Sequence, residues 1–195
     1  MKKAYCLVLA AVAAVLLLGS CAYGAVSVTW TGGSVDLSLI DNPDAAYEYW
    51  WPQVWYGELP ISMTSLSPVV FTGTGDLQGV NVIRLKQVAT NDTAAYWDDF
   101  HIELSGGTFY KKFLVQSGWN ATLTQHRMDY VKSTGPMVAP GGTFTDGVVF
   151  TVNADPGGNA AFTLTKWPTV PEPAGTAAMA VGLTGFAAFW RRRKA

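Results

Sequence analysis

Asp99-Phe100-His101-Ile102-Glu103-Leu104-Ser105-Gly106-Gly107 is the stretch on which the fold turns. Phe100, Ile102 and Leu104 alternate with Asp99, His101 and Glu103, so an extended chain directs three apolar side chains to one face and three polar ones to the other. The glycine pair ends the run, and a second strand is predicted from Thr108 to Gln116. Toward the N-terminus, Val26, Val28 and Trp30 share a face opposite Ser27, Thr29 and Thr31. Gly32-Gly33 then turns the chain, and Val35, Leu37 and Leu39 repeat the period, which predicts a hairpin. Toward the C-terminus, Val148, Phe150 and Val152 predict a strand bounded by Asp146-Gly147 and Pro156-Gly157-Gly158. Phe162 and Leu164 predict the last strand, before Trp167-Pro168. No stretch of this middle region carries sustained helical periodicity. Short strands separated by Gly, Pro, Asn and Asp predict an all-β domain over 25–168, an antiparallel β-sandwich of jelly-roll or Ig-like kind.

Composition sets the ends apart from this middle. The 195 residues are 49% hydrophobic and only 14% charged, below the usual quarter or so of charged residues. Six of the thirteen bases, Lys2, Lys3, Arg191, Arg192, Arg193 and Lys194, lie at the extremities. Residues 25–173 then hold seven bases against all fourteen acids, a net charge of −7. Nucleic acid is excluded as a partner on that ground, since phosphate binding needs clustered Lys and Arg. The two cysteines, Cys6 and Cys21, both precede the β region, so no disulfide framework is expected within it.

Residues 1–24 read as a signal peptide. Lys2 and Lys3 form a charged start, Cys6 to Leu18 an apolar run, and Ala22-Tyr23-Gly24 offers a signal peptidase small residues ahead of Ala25. A second reading takes Leu18-Gly19-Ser20-Cys21 as a lipoprotein box with Cys21 lipidated. At the far end Ala174 to Trp190 is uncharged for 17 residues, a helix of about 25 Å at 1.5 Å per residue. Its Ala, Gly and Thr suit close packing in a membrane, and Phe186, Phe189 and Trp190 put aromatic mass near one interface. Arg191-Arg192-Arg193-Lys194 follows as a cytoplasmic basic stop, which leaves the β domain outside. Between domain and helix stands Val170-Pro171-Glu172-Pro173, kept extended because each proline fixes its own φ and disfavours helix in the residue before it.

The order Val170-Pro171-Glu172-Pro173, apolar helix, arginine cluster resembles the PEP-CTERM sorting signal of Gram-negative bacteria, which a membrane protease called exosortase processes. The resemblance covers 169–195. It implies that Pro171, Glu172 and Pro173 are the sorting-protease recognition element, presented at the membrane face. It also implies export through the secretion machinery, passage through the inner membrane on the C-terminal helix, and delivery to the cell surface or extracellular matrix. Such proteins are often associated with exopolysaccharide and biofilm, which makes a structural or adhesive surface component the expected function. Asn91 to Leu104 and Phe162-Thr163-Leu164-Thr165 before Pro168-Thr169 are similar to stretches in the extracellular domains of the same family; they imply a shared sandwich more than a shared activity.

Tyr47-Glu48-Tyr49-Trp50-Trp51-Pro52-Gln53-Val54-Trp55-Tyr56 carries six aromatic rings in ten residues. One reading is core packing, since Trp and Tyr form strands and are commonly half-buried. The other is a carbohydrate-binding module, with Trp50, Trp51, Trp55 and Tyr56 stacking on the apolar faces of sugars, exopolysaccharide among them. Asp41, Asp44, Asp76 and Asp98-Asp99 are oxygen donors in loops, but without the Asp-x-Asp-x-Asp-Gly spacing, so no metal and no cofactor is expected. His101 stands two residues from both Asp99 and Glu103, a face that suits acid-base work and equally a solvated strand. With only His101 and His126 as histidines and no nucleophile motif, catalysis is not expected, and a glycan hydrolase is the least favoured reading.

Overall fold

A computed structural model describes residues 26–45 and 51–170. The signal segment, Trp50, the Pro171-Glu172-Pro173 element, the C-terminal apolar segment and Arg191 to Lys194 lie outside the described residues.

The described chain is all-β, with eleven strands: β1 Val26–Trp30, β2 Gly33–Asp41, β3 Gln53–Met63, β4 Val69–Asp76, β5 Val82–Asn91, β6 Asp99–Ser105, β7 Gly107–Val115, β8 Trp119–Leu123, β9 Arg127–Lys132, β10 Thr143–Val152 and β11 Asn159–Thr169. They form one hydrogen-bonded ladder in the order β7-β10-β5-β3-β2-β1-β4-β11-β6-β9-β8. The joint lies in β2, which pairs with β1 over Gly33–Leu37 and with β3 over Ser38–Asp41. The ladder's two ends, β7 and β8, are consecutive in the chain. The Phe109 amide donates to Gln125 O (2.8 Å) and Lys112 Nζ donates to Ala121 O, which nearly closes the sheet into a barrel.

The predicted β1–β2 hairpin is present, with Val26 opposite Leu37 and Trp30 opposite Gly33. β6 places Phe100, Ile102 and Leu104 in the core, as alternation requires. Three expectations need correction. One pair is parallel: β3 runs beside β5 from Trp55↔Ile83 to Met63↔Asn91, because β4 crosses to the far part of the ladder between them. Asp146-Gly147 does not bound a strand. β10 runs through it, and Asp146 faces inward at the same parity as Phe144, Val148 and Phe150. β11 also continues through Trp167-Pro168. Its pairing with β4 stops at Lys166, so Pro168 sits beyond the ladder that its missing N–H would break, while β6 alone accompanies it.

The core joins the two halves of the ladder. Phe144 of β10 stacks on Phe100 of β6 (4.8 Å between centroids, 29°) and packs against Trp119 of β8 (4.9 Å) and Tyr130 of β9 (5.2 Å). Phe150 of β10 meets Phe162 of β11 edge-on at 5.1 Å. Such rings each remove a large apolar area from water and add a little through their quadrupoles.

Candidate functional site

The aromatic run divides between the two faces of β3. Trp55 points inward, is 2% exposed, and donates its indole N–H to Val80 O at 3.1 Å. It is a core residue and cannot stack on a ligand. Tyr56, one position on, faces out and donates its hydroxyl to Glu58 Oε1 (2.9 Å), which also takes Lys86 Nζ (3.0 Å). The alternation of a strand makes this split unavoidable: neighbouring residues cannot share a face.

Trp51 belongs to the loop between β2 and β3. Asn42 closes that loop: its amide N–H donates to Pro52 O (2.8 Å) and its side-chain Nδ2 to Trp51 O (3.0 Å). So held, Trp51 lies over the outer face of β3, β5, β10 and β7, in a small apolar patch with Val54, Val82, Val149, Ile40 and Phe113. Its ring meets Tyr110 at 4.5 Å and 87°, and Tyr110 is 44% exposed. Beside them the Arg84 guanidinium lies 4.0 Å above the Phe113 ring. Asp44 accepts from Arg84 Nη1 (2.5 Å) and Lys111 Nζ (3.1 Å). The Arg84 hydrogen bond first, then that of Lys111, hold the Asp44 carboxyl below its ordinary value. The result is a half-exposed Trp-Tyr pair edged by fixed charge. Tyr110, Phe113, Arg84 and Lys111 were not singled out from the sequence, although Tyr110 has outward parity next to inward Phe109.

His101 lies on the outer face of β6. Its carboxylate partner is neither Asp99 nor Glu103 but Asp129, opposite it on β9, with Nδ1 to Oδ1 at 2.6 Å. Arg127 Nε donates to the same Asp129 oxygen (2.8 Å), and Nη1 reaches Glu103 Oε1 (3.4 Å). Burial raises the Asp129 carboxyl, but hydrogen bonds from His101 and Arg127 outweigh it and leave a net lowering. The His101 ring lies 5.2 Å from Trp167, tilted by 32°. Two of the acids weighed as cation donors have other partners: Asp44 as above, and Asp76, whose Oδ1 accepts the Gln78 amide (2.9 Å). Among the described residues no three His, Cys, Asp or Glu side chains gather as a metal-ligand group, and no helix is long and apolar enough to cross a membrane.

A third group is wholly internal. Asp146 (1% exposed) and Lys166 (0% exposed) face one another across the core, with Lys166 Nζ 3.9 Å from Asp146 Oδ2. Gln87 Nε2 donates to Asp146 Oδ1 at 2.6 Å. Burial, the larger influence, shifts both groups toward their neutral forms, and their mutual attraction only partly opposes it.

No protein-family model matches the chain, and no curated protein matches its sequence.

Proposed function

We propose that this chain is an exported surface or matrix protein, sorted by exosortase through Pro171, Glu172 and Pro173 and contributing a structural or adhesive β domain to an exopolysaccharide-rich envelope. The observation that carries the reading is the order of a Pro-Glu-Pro spacer, an uncharged stretch from Ala174 to Trp190 and the Arg191 to Lys194 cluster. A protease working at the membrane face needs an extended backbone just outside the lipid, and prolines keep the following helix from absorbing it. In this reading residues 1–24 direct secretion, the C-terminal helix holds the precursor in the inner membrane, and the domain ends on the outer side. We read the ladder as two facing sheets that share β2, the sandwich form; Phe144 on Phe100 and Phe150 on Phe162 support it, because each pair joins the two halves. The non-enzymatic character is supported by His101, whose Asp129 and Arg127 contacts and Trp167 neighbour are those of a packed surface side chain. The test is fractionation of cells with and without the sorting protease, with the mature C-terminus determined by mass spectrometry. Loss of the tail only where the protease is present is expected; a full-length tail in both strains overturns the reading.

A second reading, carbohydrate binding, is favoured by the Trp51–Tyr110 pair, in which Tyr110 is 44% exposed and is followed in the chain by Lys111, itself paired with Asp44. Aromatic faces flanked by hydrogen-bonding side chains suit sugars. Retention on immobilised exopolysaccharide should fall about tenfold or more in Trp51→Ala and Tyr110→Ala, a loss on the order of 1.4 kcal/mol. Unchanged retention in both variants removes this reading and leaves the first intact.

A further inference from the structure

We propose that Lys166 and Asp146 join spontaneously in an intramolecular isopeptide bond, a covalent strut across the core between β11 and β10. Three observations point to it. The amine and the carboxyl are sealed together, with Nζ 3.9 Å from Oδ2 and both side chains at most 1% exposed. Nζ and Oδ2, the two atoms that would react, have no hydrogen-bond partner, whereas the other carboxyl oxygen, Oδ1, is held by Gln87. Finally, the surroundings are apolar: the Phe71 and Phe100 rings each lie with their centroids 5.9 Å from Nζ.

A buried ion pair whose atoms are left without hydrogen bonds is a poor stabiliser, because desolvation costs more than attraction returns. Condensation removes both charges and the orphaned Oδ2 at once, and leaves Nζ with a single N–H in place of three. Two protons of the ammonium pass to Oδ2, the amine lone pair attacks Cγ, and Oδ2 departs as water. The product is a secondary amide on Nζ, and no oxidant, reductant or further reactant is consumed. Burial assists the first proton transfer by favouring the neutral amine and acid. Gln87 Nε2, already on Oδ1, is placed to stabilise the negative charge that gathers there as the tetrahedral intermediate forms. Fixing the two groups side by side in the fold supplies the high effective concentration that the reaction needs. The Tyr130 hydroxyl, buried and without a hydrogen-bond partner, is affected by the Asp146 charge and adds a further polar group to the pocket.

β10 and β11 are consecutive but not paired: β10 lies between β5 and β7, β11 between β4 and β6. The bond would therefore tie the two halves of the ladder together, in a region that contains no cysteine for a disulfide. Closing the loop from Asp146 to Lys166 would restrict the unfolded chain as a disulfide does.

Peptide mapping of the full chain tests this. No Lys or Arg lies between Lys132 and Lys166, so trypsin releases Ser133–Lys166 from an unbonded chain. An amide on Nζ blocks cleavage at Lys166; the expected product begins at Ser133, continues past Lys166, and is lighter than its sequence by one water. Fragmentation should place the link between Asp146 and Lys166. Release of Ser133–Lys166 at its full mass from folded protein overturns the proposal. Lys166→Arg and Asp146→Ala should abolish the water loss. Gln87→Leu keeps both reactants, and bond formation followed after refolding should be about 100-fold slower; an unchanged rate would remove Gln87 from the step.

Discussion

At the residue scale, neighbouring positions have opposite fates. Trp55 fills the core and Tyr56 faces out; His101 is fixed by Asp129, while Phe100 one step away stacks on Phe144. Asn91 shows what a buried polar side chain must satisfy. Its Nδ2 donates to Ala95 O (2.8 Å) and Val138 O (3.0 Å), and its Oδ1 accepts the Thr93 amide (3.0 Å). Asn91→Ala leaves these groups without partners and should cost about 1–3 kcal/mol, read as a lower urea midpoint at constant slope. Asp44 makes a pH prediction. Its folded carboxyl titrates below the ordinary 3.8, so its contribution is present above that value and is lost as pH falls through the lower folded value. The contribution is modest because the side chain is 34% exposed. Acid titration should show wild type losing part of its stability below about pH 4 that Asp44→Asn lacks throughout; identical acid profiles would contradict the assigned pairing.

At the element scale, the strands depend on what their partners lack. Gly73 of β4 lies opposite Phe162 of β11, whose ring occupies the space where a Cβ would stand. Gly73→Val must push that ring out of the core, away from Phe150. The expected cost is about 1–3 kcal/mol, and a thermal midpoint equal to wild type would show that β11 can repack. Phe144 of β10 is the ring on which β6, β8 and β9 converge, so Phe144→Ala should cost about 3–5 kcal/mol, measured by denaturant unfolding. β10 also illustrates how an element is misread. Asp146-Gly147 has the composition of a turn, yet β5 pairs with β10 without interruption from Thr143 to Thr151, and Asp146 turns inward to Gln87 and Lys166. Alternation continued through Phe144, Asp146 and Val148 was the available signal; the Asp-Gly pair obscured it.

At the scale of the whole molecule, one large apolar cluster includes residues from all eleven strands, and the ladder is continuous from β7 to β8. Unfolding should therefore be a single transition, with tryptophan fluorescence and far-ultraviolet circular dichroism coincident; separate midpoints would show that the halves on either side of β2 melt independently. The sequence by itself determined the all-β class, the β1–β2 hairpin, the inward parity of Phe100, Ile102 and Leu104, and the presence of two ends unlike the middle, because period-two alternation and composition are local properties. Only the tertiary structure decided that β3 runs parallel to β5, that His101 answers to Asp129, that Trp51 meets Tyr110, and that Asp146 faces Lys166. Each of these joins residues remote in the chain or set by which strand lies beside which. Strand order comes from the burial of all faces together, and no window of sequence contains it.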